Sequence, residues 1–249
     1  MFDRILKLAL ENKRPHGSVG IAKLADALLD IYPNQSSQDN AGNLIVDLRQ
    51  EGTSTCFMAH LDTVHYEPGV NPVLWGQSIV KTNGTSVLGA DDGAGVALLA
   101  GLMAAKVPAL YMFTQGEETG GHGAKYIRNR TPRVLDGIKR IISWDRKGKW
   151  DICGEQSVGV CSSPEYVTEL ADRLGMGHCW ARGTYTDNCE FRNMVPEIVN
   201  ISVGYENCHT QFETLDLVYL RTMLEKAIAM EWETLAPRRV FGGGYAESI

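Results

Sequence analysis

Short apolar runs alternate along this chain with longer segments in which apolar residues recur at helical spacing. The strand-like runs are "LIVDL" (44–48), "TCFMAH" (55–60), "ALYMFT" (109–114), "IKRIISW" (138–144) and "PEIVNISVG" (196–204). The helical segments are 2–12, 18–31, 93–105, 124–130, 163–175 and 215–235. Strands that alternate with helices predict an α/β fold, here a three-layer α/β/α domain around a central mixed, mostly parallel sheet.

Length and composition set the frame for that fold. The chain has 249 residues, of which 44% are hydrophobic, with five Trp and nine Tyr. This is enough for a sizeable core, in one large domain or two small ones. The net charge is −6 and no basic run is present, so nucleic acid is not an expected partner.

The chain offers no candidate signal peptide or membrane span. Charges at Asp3, Arg4 and Lys7 interrupt the N-terminal apolar residues, and no small-residue cleavage site follows. The most apolar stretch, 93–113, is broken by Lys106 and Pro108 and falls short of the ~20 apolar residues that a bilayer requires. The six cysteines form no CxxC pair, so we expect mostly free thiols and a cytoplasmic location.

The remaining segments are predicted as connections. Residues 33–43 ("PNQSSQDNAGN") are expected to form a loop, and 65–86 a long excursion that contains one strand at 78–82. Residues 237–249 are expected to be a flexible tail. We expect residues 1–249 to form a single catalytic domain.

Polar residues stand where the predicted strands end or the small-residue helix begins. They are His60, Asp91 and Asp92, Glu117 and Glu118, Asp145, and His209. In open α/β sheets, ligands bind at the carboxyl ends of the strands, so these side chains are expected at one edge. Crowded carboxylates repel one another unless a cation neutralises them. Imidazole and carboxylate ligands suit zinc or another divalent transition metal.

The number of candidate ligands favours two metal ions. A catalytic zinc takes three protein ligands, so five candidates form two sets if one carboxylate bridges. Two such ions lie about 3.5–4 Å apart. His60 is then a ligand, and Asp62 is the partner that fixes its tautomer.

Five motifs carry a family resemblance. "HLDTV", "GADDGAG", "GEETGGHGA", "WD" and "CHTQFE", in this order, resemble the co-catalytic zinc exopeptidases. That clan includes zinc aminopeptidases, peptidases T, carboxypeptidase G2-like enzymes and aminoacylases. The resemblance covers roughly residues 40–215.

The resemblance implies a role for each matching residue. His60 and Asp145 would bind one metal, Asp91 would bridge, and Glu118 and His209 would bind the second, with Zn²⁺ expected and Co²⁺ or Mn²⁺ possible. Glu117 would be the general base, and Asp62 would orient His60. The bond between Asp91 and Asp92 would be cis. Asp187 and His122 are candidate substrate contacts.

The chain also departs from part of the clan. Two-domain members insert a lid and dimerisation domain before the final histidine, whereas Asp145 and His209 are only 64 positions apart here. We therefore expect no inserted lid. Arg146 and Lys147 follow a candidate ligand, and the sequence gives no reason for them. Arg182, Arg192 and Tyr205 could bind a substrate carboxylate but are expected to be structural.

Four functions remain open at this level. The leading one is a cytoplasmic metallo-exopeptidase, an aminopeptidase acting on short peptides. The alternatives are a deacylase or amidase acting on N-acylated amino acids, an acyl-transfer enzyme of the glutaminyl cyclase type with one zinc, and a non-catalytic binding protein. The complete ligand set disfavours the single-zinc enzyme, and Glu117 disfavours the binding protein. The oligomeric state cannot be read from the sequence.

Overall fold

A computed structural model describes residues 1–239 of the chain. Its α-helices are α1 (Phe2–Glu11), α2 (Val19–Leu29), α3 (Ala90–Ala104), α4 (His122–Arg130), α5 (Pro164–Leu174) and α6 (Leu217–Ala229). Its strands are β1 (Asn12–Lys13), β2 (Ser36–Gln38), β3 (Leu44–Asp47), β4 (Thr55–His60), β5 (Gly69–Val70), β6 (Val73–Trp75), β7 (Ile79–Thr82), β8 (Leu110–Thr114), β9 (Arg140–Arg146), β10 (Asp151–Gln156), β11 (Gly159–Val160), β12 (Cys179–Arg182), β13 (Glu197–Ser202), β14 (Tyr205–Glu206) and β15 (Thr214–Asp216).

The main sheet has nine strands and is mixed. Its order is β11-β10-β13-β9-β4-β8-β3-β2, with β12 paired to β10. The central pairings, from β13 through β9 and β4 to β8, are parallel. Outside this centre the pairings are antiparallel apart from that of β10 with β12. The carboxyl ends of β4, β8 and β9 therefore lie side by side.

Helices cover both faces of the sheet, which confirms the three-layer prediction. Every residue of β4 is buried, and its side chains alternate between two apolar clusters. Phe57 and Ala59 pack in the cluster that contains α1, α3 and α6, whereas Cys56 and Met58 pack in the one that contains α4. Strands buried on both faces explain the unbroken apolar runs in the sequence.

The structure differs from the prediction in the C-terminal helix and in the loop 33–43. The C-terminal helix was expected to run to residue 235, but α6 ends at Ala229. Trp232 explains the early end: it is buried edge-on against Phe57 and Trp144, and its indole N–H donates to the carbonyl of Ala227. The predicted loop 33–43 contains β2, which pairs with β3 at the sheet edge.

The excursion after β4 forms a second, smaller sheet. The strand expected at 78–82 is β7, which pairs with β6 on one side and β15 on the other. β14 completes this four-stranded sheet. The segment after His209 is thereby paired with the excursion, and the segment before it is paired with that segment in turn.

The predicted flexible tail lies mostly outside the described residues. At its start, the backbone N–H groups of Arg238 and Arg239 donate to the Glu197 carboxylate. Among the helices of residues 1–239, none is long and apolar enough to span a bilayer.

Candidate metal centre

The predicted ligands converge at the carboxyl end of the central parallel strands. His60 is the last residue of β4, and Asp145 is the penultimate residue of β9, beside it. Glu118 follows β8, the other neighbour of β4. Asp91 lies in the distorted first turn of α3, and His209 lies in the loop after β14. Segments far apart in sequence therefore supply one cluster of side chains.

Asp91 lies between the two histidines. Its Oδ1 is 3.2 Å from Nε2 of His60, and its Oδ2 is 3.2 Å from Nε2 of His209. On the first side, Oδ1 of Asp145 lies 3.5 Å from Nε2 of His60. On the second side, Oε1 of Glu118 lies 2.9 Å from Nε2 of His209. One carboxylate with an oxygen toward each histidine is the arrangement expected of a bridging ligand.

Protein groups alone do not balance the charge of this cluster. Burial lowers the pKa of His60, but the carboxylates of Asp145 and Asp91 raise it by a larger amount. The pKa of His60 therefore lies well above its usual value. The carboxylates of Asp91 and Glu118 raise the pKa of His209 to about 10. Burial is the main cause that raises the pKa of Asp145 to about 6. Divalent cations relieve this kind of electrostatic imbalance, and the nitrogen and oxygen donors fit zinc.

The tautomer of His60 suits metal binding. Its Nδ1–H donates to the backbone oxygen of Asp62 at 3.0 Å, which directs Nε2 toward the carboxylates, where it can bind a metal ion in place of its proton. The Asp62 carboxylate lies farther away, 3.8 Å from that Nδ1. It accepts hydrogen bonds from the backbone N–H groups of Gly116, Glu117 and Glu118 instead. Asp62 thus acts on His60 through its main chain and on the glutamate loop through its side chain.

The start of α3 is held by Asp92. The Asp91–Asp92 peptide bond is cis. The Asp92 carboxylate accepts from the backbone N–H of His60 and of Gly95, which joins the end of β4 to the start of α3. A Cβ at Gly95 would lie 2.3 Å from the Asp92 carboxylate and 2.4 Å from the carbonyl of Trp144, so only glycine fits this approach.

Two supporting residues escaped sequence reasoning. The buried Glu213 carboxylate accepts from the backbone N–H of Leu88, Gly89 and Asp91, at 2.8–3.0 Å. The fully buried Arg14 donates to the carbonyls of Leu61 and Gly89, at 2.5 and 2.8 Å. Together they hold the loops that present His60 and Asp91. Glu213 was visible in the "CHTQFE" motif but had no assigned role. Arg14 had no local signal for this role, because the two loop carbonyls that it holds are 47 and 75 positions away.

Asp145 is fixed by groups of its own. Thr186 donates its hydroxyl to Asp145 Oδ2 at 2.6 Å, and the Tyr205 hydroxyl lies 3.2 Å from Oδ1. Asn200 bonds both the N–H and the carbonyl of Asp145. Tyr205 therefore contacts a candidate ligand. Arg182, the other residue considered for a substrate carboxylate, donates to the Glu155 carboxylate.

The two candidate substrate residues lie in different surroundings. Asp187 is buried and lines a small cavity beside His60 and Asp145. Within residues 1–239 neither of its carboxylate oxygens has the geometry of a hydrogen bond, and burial raises its pKa to about 7. His122 is exposed at the start of α4, with its ring 6.1 Å from that of His16. Their roles stay predictions.

A cavity of about 240 Å³ opens onto the candidate ligands. Its walls are Asp91, Glu117, Glu118, Asp145, Arg146, Lys147, Gln156, Gly183, Thr184, Tyr185, Asn200, Tyr205, Cys208 and His209. Segments 65–86 and 119–123 do not line this cavity, and the first of them supplies β6 and β7 of the smaller sheet. The guanidinium of Arg146 bonds Asp151, whereas Lys147 is exposed at the cavity rim.

No family model matches the chain. It is 36% identical over 124 residues to the uncharacterized protein YqjE of Bacillus subtilis, a match that includes 45% of this chain. The chain spans only 31% of the length of that curated relative.

Solved structures match almost the whole chain. Aminopeptidase PepT of Bacillus cereus matches with a TM-score of 0.74 at 16% identity, over 93% of this chain and 97% of that one. The chain shares the fold of that protein. A tripeptidase of Staphylococcus aureus matches with a TM-score of 0.74 at 15% identity, over 91% of this chain and 95% of that one. The TET1 peptidase of Pyrococcus horikoshii matches with a TM-score of 0.70 at 16% identity, over 92% and 98%. These matches confirm the fold expected from the motif resemblance.

Proposed function

We propose that this chain is a metal-dependent exopeptidase, an aminopeptidase that acts on short peptides. One observation carries the proposal: the carboxylate oxygens of Asp91 face His60 on one side and His209 on the other, and Asp91 lines the same cavity as Glu117. The fold shared with aminopeptidases and a tripeptidase supports it. All of these groups belong to residues 1–239, so one domain without an inserted lid suffices for the ligand set.

The proposal assigns two divalent ions, first of all Zn²⁺, with Co²⁺ or Mn²⁺ as alternatives. His60, Asp145 and Asp91 would hold one ion, and Asp91, Glu118 and His209 would hold the other. Metal ions in such sites polarise a carbonyl and lower the pKa of a bound water to about 7. The protein's part is to present oxygen and nitrogen donors on a rigid sheet edge.

Glu117 is the group that we assign to proton transfer. It lines the cavity, and its neighbour Glu118 turns toward His209. Burial, together with nearby carboxylates, raises the pKa of Glu117 to about 9, and nearby dications would lower it again. As general base it would accept a proton from the attacking water and later donate that proton to the departing amine.

The size of the cavity supports action on chain ends. At about 240 Å³ it lies below the ~300–1,000 Å³ of typical ligand sites. This space accommodates the end of a peptide rather than a loop of a folded protein. Efficient cleavage within folded proteins would therefore contradict the exopeptidase assignment.

The test is a substrate comparison on protein loaded with zinc, cobalt or manganese. Free tripeptides and aminoacyl anilides are compared with their N-acetylated counterparts, and Glu117→Gln serves as the inactive control. We expect hydrolysis of the free-amine substrates alone. Hydrolysis of the acetylated substrates alone would favour the deacylase. Peptide binding without any hydrolysis would favour the binding protein.

A further inference from the structure

Cys208 lies inside the candidate metal centre. Its Sγ, a carboxylate oxygen of Asp91 and a ring nitrogen of His209 all lie within 4.8 Å of one another. The residue is half-buried and lines the cavity. The five nitrogen and oxygen ligands of the resemblance do not include it, and sequence reasoning treated it as one free thiol among six.

The backbone explains why two consecutive side chains face the same group. In an extended strand, Cys208 and His209 would point to opposite sides. Here Asn207 has φ +53° and His209 has φ +64°, both in the left-handed region that residues other than glycine rarely occupy. The chain turns sharply around Cys208, and both side chains reach Asp91.

A second observation points to a ligand at the same place. The Glu118 side chain is only 9% exposed, and its Oε1 has no hydrogen-bond partner within residues 1–239. That oxygen forms an ion pair of 2.9 Å with Nε2 of His209, which a cation between the two side chains would replace. A buried carboxylate oxygen without a hydrogen bond is costly unless something else satisfies it. A cation between Glu118 and His209 would do so, and Cys208 lies beside them, with its Sγ within 4.8 Å of a ring nitrogen of His209.

We propose that Cys208 supplies a thiolate ligand to the metal ion held by Asp91, Glu118 and His209. The inference rests on the metal centre of the proposed function. As the metal–sulfur bond forms, the S–H bond breaks and its proton passes to solvent, with no change in oxidation state. Zinc accepts cysteine sulfur as readily as histidine and carboxylate.

The extra ligand makes the two subsites unequal. With Cys208, the second subsite has four protein donors, the number that closes a structural zinc site. The first subsite, with His60, Asp145 and the shared Asp91, keeps three, the number typical of an open catalytic site. Thiolate also favours zinc over manganese, which prefers oxygen ligands. The second subsite should therefore hold zinc firmly and discriminate against Mn²⁺.

X-ray absorption at the zinc edge tests the bond directly. The wild-type protein loaded with zinc should show a sulfur scatterer at about 2.3 Å in addition to nitrogen and oxygen at about 2.0–2.2 Å. Cys208→Ser should lose the sulfur scatterer. Cys179→Ser, which removes an exposed cysteine outside the cavity, should keep it. A wild-type spectrum with nitrogen and oxygen alone would overturn the proposal.

Competition between metals gives a second readout. Cys208→Ser should bind zinc at least about tenfold more weakly, as much as losing even an outer partner of a ligand costs. Its affinity for Mn²⁺ should change little, because serine offers oxygen in place of sulfur. Equal losses for both metals would contradict a thiolate ligand.

The results separate this proposal from the proposed function. Metal-dependent peptide hydrolysis without a sulfur scatterer would overturn the thiolate and leave the peptidase standing. A sulfur scatterer in a protein that hydrolyses no peptide would support the thiolate and overturn the peptidase. Failure of the wild-type protein to bind zinc, cobalt or manganese would overturn both.

Discussion

The side chain of Asp62 holds the main chain of Glu117, through a hydrogen bond of 3.2 Å from the Glu117 backbone N–H. The same carboxylate accepts from Gly116 at 2.8 Å and from Glu118 at 3.2 Å. Asp62 follows His60 by two positions, and its backbone oxygen accepts a hydrogen bond from Nδ1–H of His60. One residue therefore fixes the histidine of one proposed subsite and the glutamates that serve as proposed base and ligand.

Asp62→Asn tests this link. The amide keeps one acceptor oxygen but turns an NH₂ group toward backbone N–H donors, so at least one donor loses its partner. A buried unsatisfied donor costs about 1–3 kcal/mol, and we expect the free energy of unfolding to fall by that amount. The turnover number should fall at least about tenfold, because the position of the Glu117 loop matters for catalysis. Urea denaturation and steady-state kinetics measure the two effects.

The matched control is Asp26→Asn, on the exposed face of α2. It should leave both stability and turnover unchanged. An Asp62→Asn protein with wild-type kinetics would show that the glutamate loop holds its position without this carboxylate.

Glu117→Gln should impair turnover, whereas Glu118→Gln should impair metal binding. The first removes the proposed base, so kcat should fall about 10²–10⁴-fold with the metal content unchanged. The second removes a charged ligand, so it should lower the metal content. Elemental analysis and kinetics on the same preparations separate the two. A Glu117→Gln protein that lost metal but regained full activity when metal was resupplied would reverse the two roles.

The sequence predicted the candidate metal ligands better than the residues that hold those ligands in place. The ligands could be found because each stands at the end of an apolar run or at the start of the small-residue helix. Glu213 and Arg14 could not, because they act on backbone atoms of loops that only the fold brings near them. Cys208 was missed because left-handed residues on both sides remove the alternation of side chains that a strand would show.

Errors in secondary structure have similar causes. The helical periodicity of 215–235 continues past Ala229, but burial of Trp232 against Phe57 and Trp144 requires the chain to turn. β2 is a short, partly exposed edge strand whose polar residues carry no apolar pattern. Tertiary packing determines both the end of α6 and the formation of β2, and the local sequence does not reveal that packing.

Glu213→Gln should weaken zinc binding without altering any proposed ligand. Glu213 lines no part of the cavity, yet both its oxygens hold the backbone that leads to Asp91. Glutamine has one acceptor oxygen, so one side of this contact is lost and the free energy of unfolding should fall by about 1–3 kcal/mol. Zinc affinity should fall about 10–100-fold, as for other residues that support a ligand. Zinc titration and urea denaturation measure both, with exposed Glu225→Gln as the control. Unchanged zinc affinity would assign Glu213 to the fold alone.

Stability should decrease in mild acid partly through His178. Burial lowers its pKa to about 4, against 6.5 for an ordinary histidine, and its Nε2 is 2.8 Å from the Tyr219 hydroxyl. As the pH falls from about 6.5 to about 4, His178 becomes protonated in the unfolded chain but stays neutral in the folded protein. The free energy of unfolding therefore falls across this window, by up to about 3 kcal/mol for this residue.

His178→Gln is the variant that isolates this contribution. It keeps a side chain that can bond Tyr219 but cannot be protonated in this range. Its stability should fall less between pH 6.5 and pH 4 than that of the wild type, as measured by urea denaturation at each pH. Identical pH dependence in the two proteins would show that His178 is not neutral in the folded state.

Removal of metal should abolish hydrolysis and lower the melting temperature together. Asp91, Glu118 and Asp145 bring carboxylates to one site, and a divalent ion that binds only the folded protein stabilises it by about 2.7 kcal/mol at 100 times its dissociation constant. At about 2–4 °C per kcal/mol for a chain of this size, zinc should raise the melting temperature by about 5–10 °C over the chelated protein. Calorimetry with and without zinc measures the shift, and added zinc should restore activity to the chelated sample. Glu118→Gln should show a smaller shift at the same zinc concentration, because one subsite has lost a charged donor. Full activity in protein shown by elemental analysis to be free of metal would rule out the proposed centre, whatever the melting temperature did.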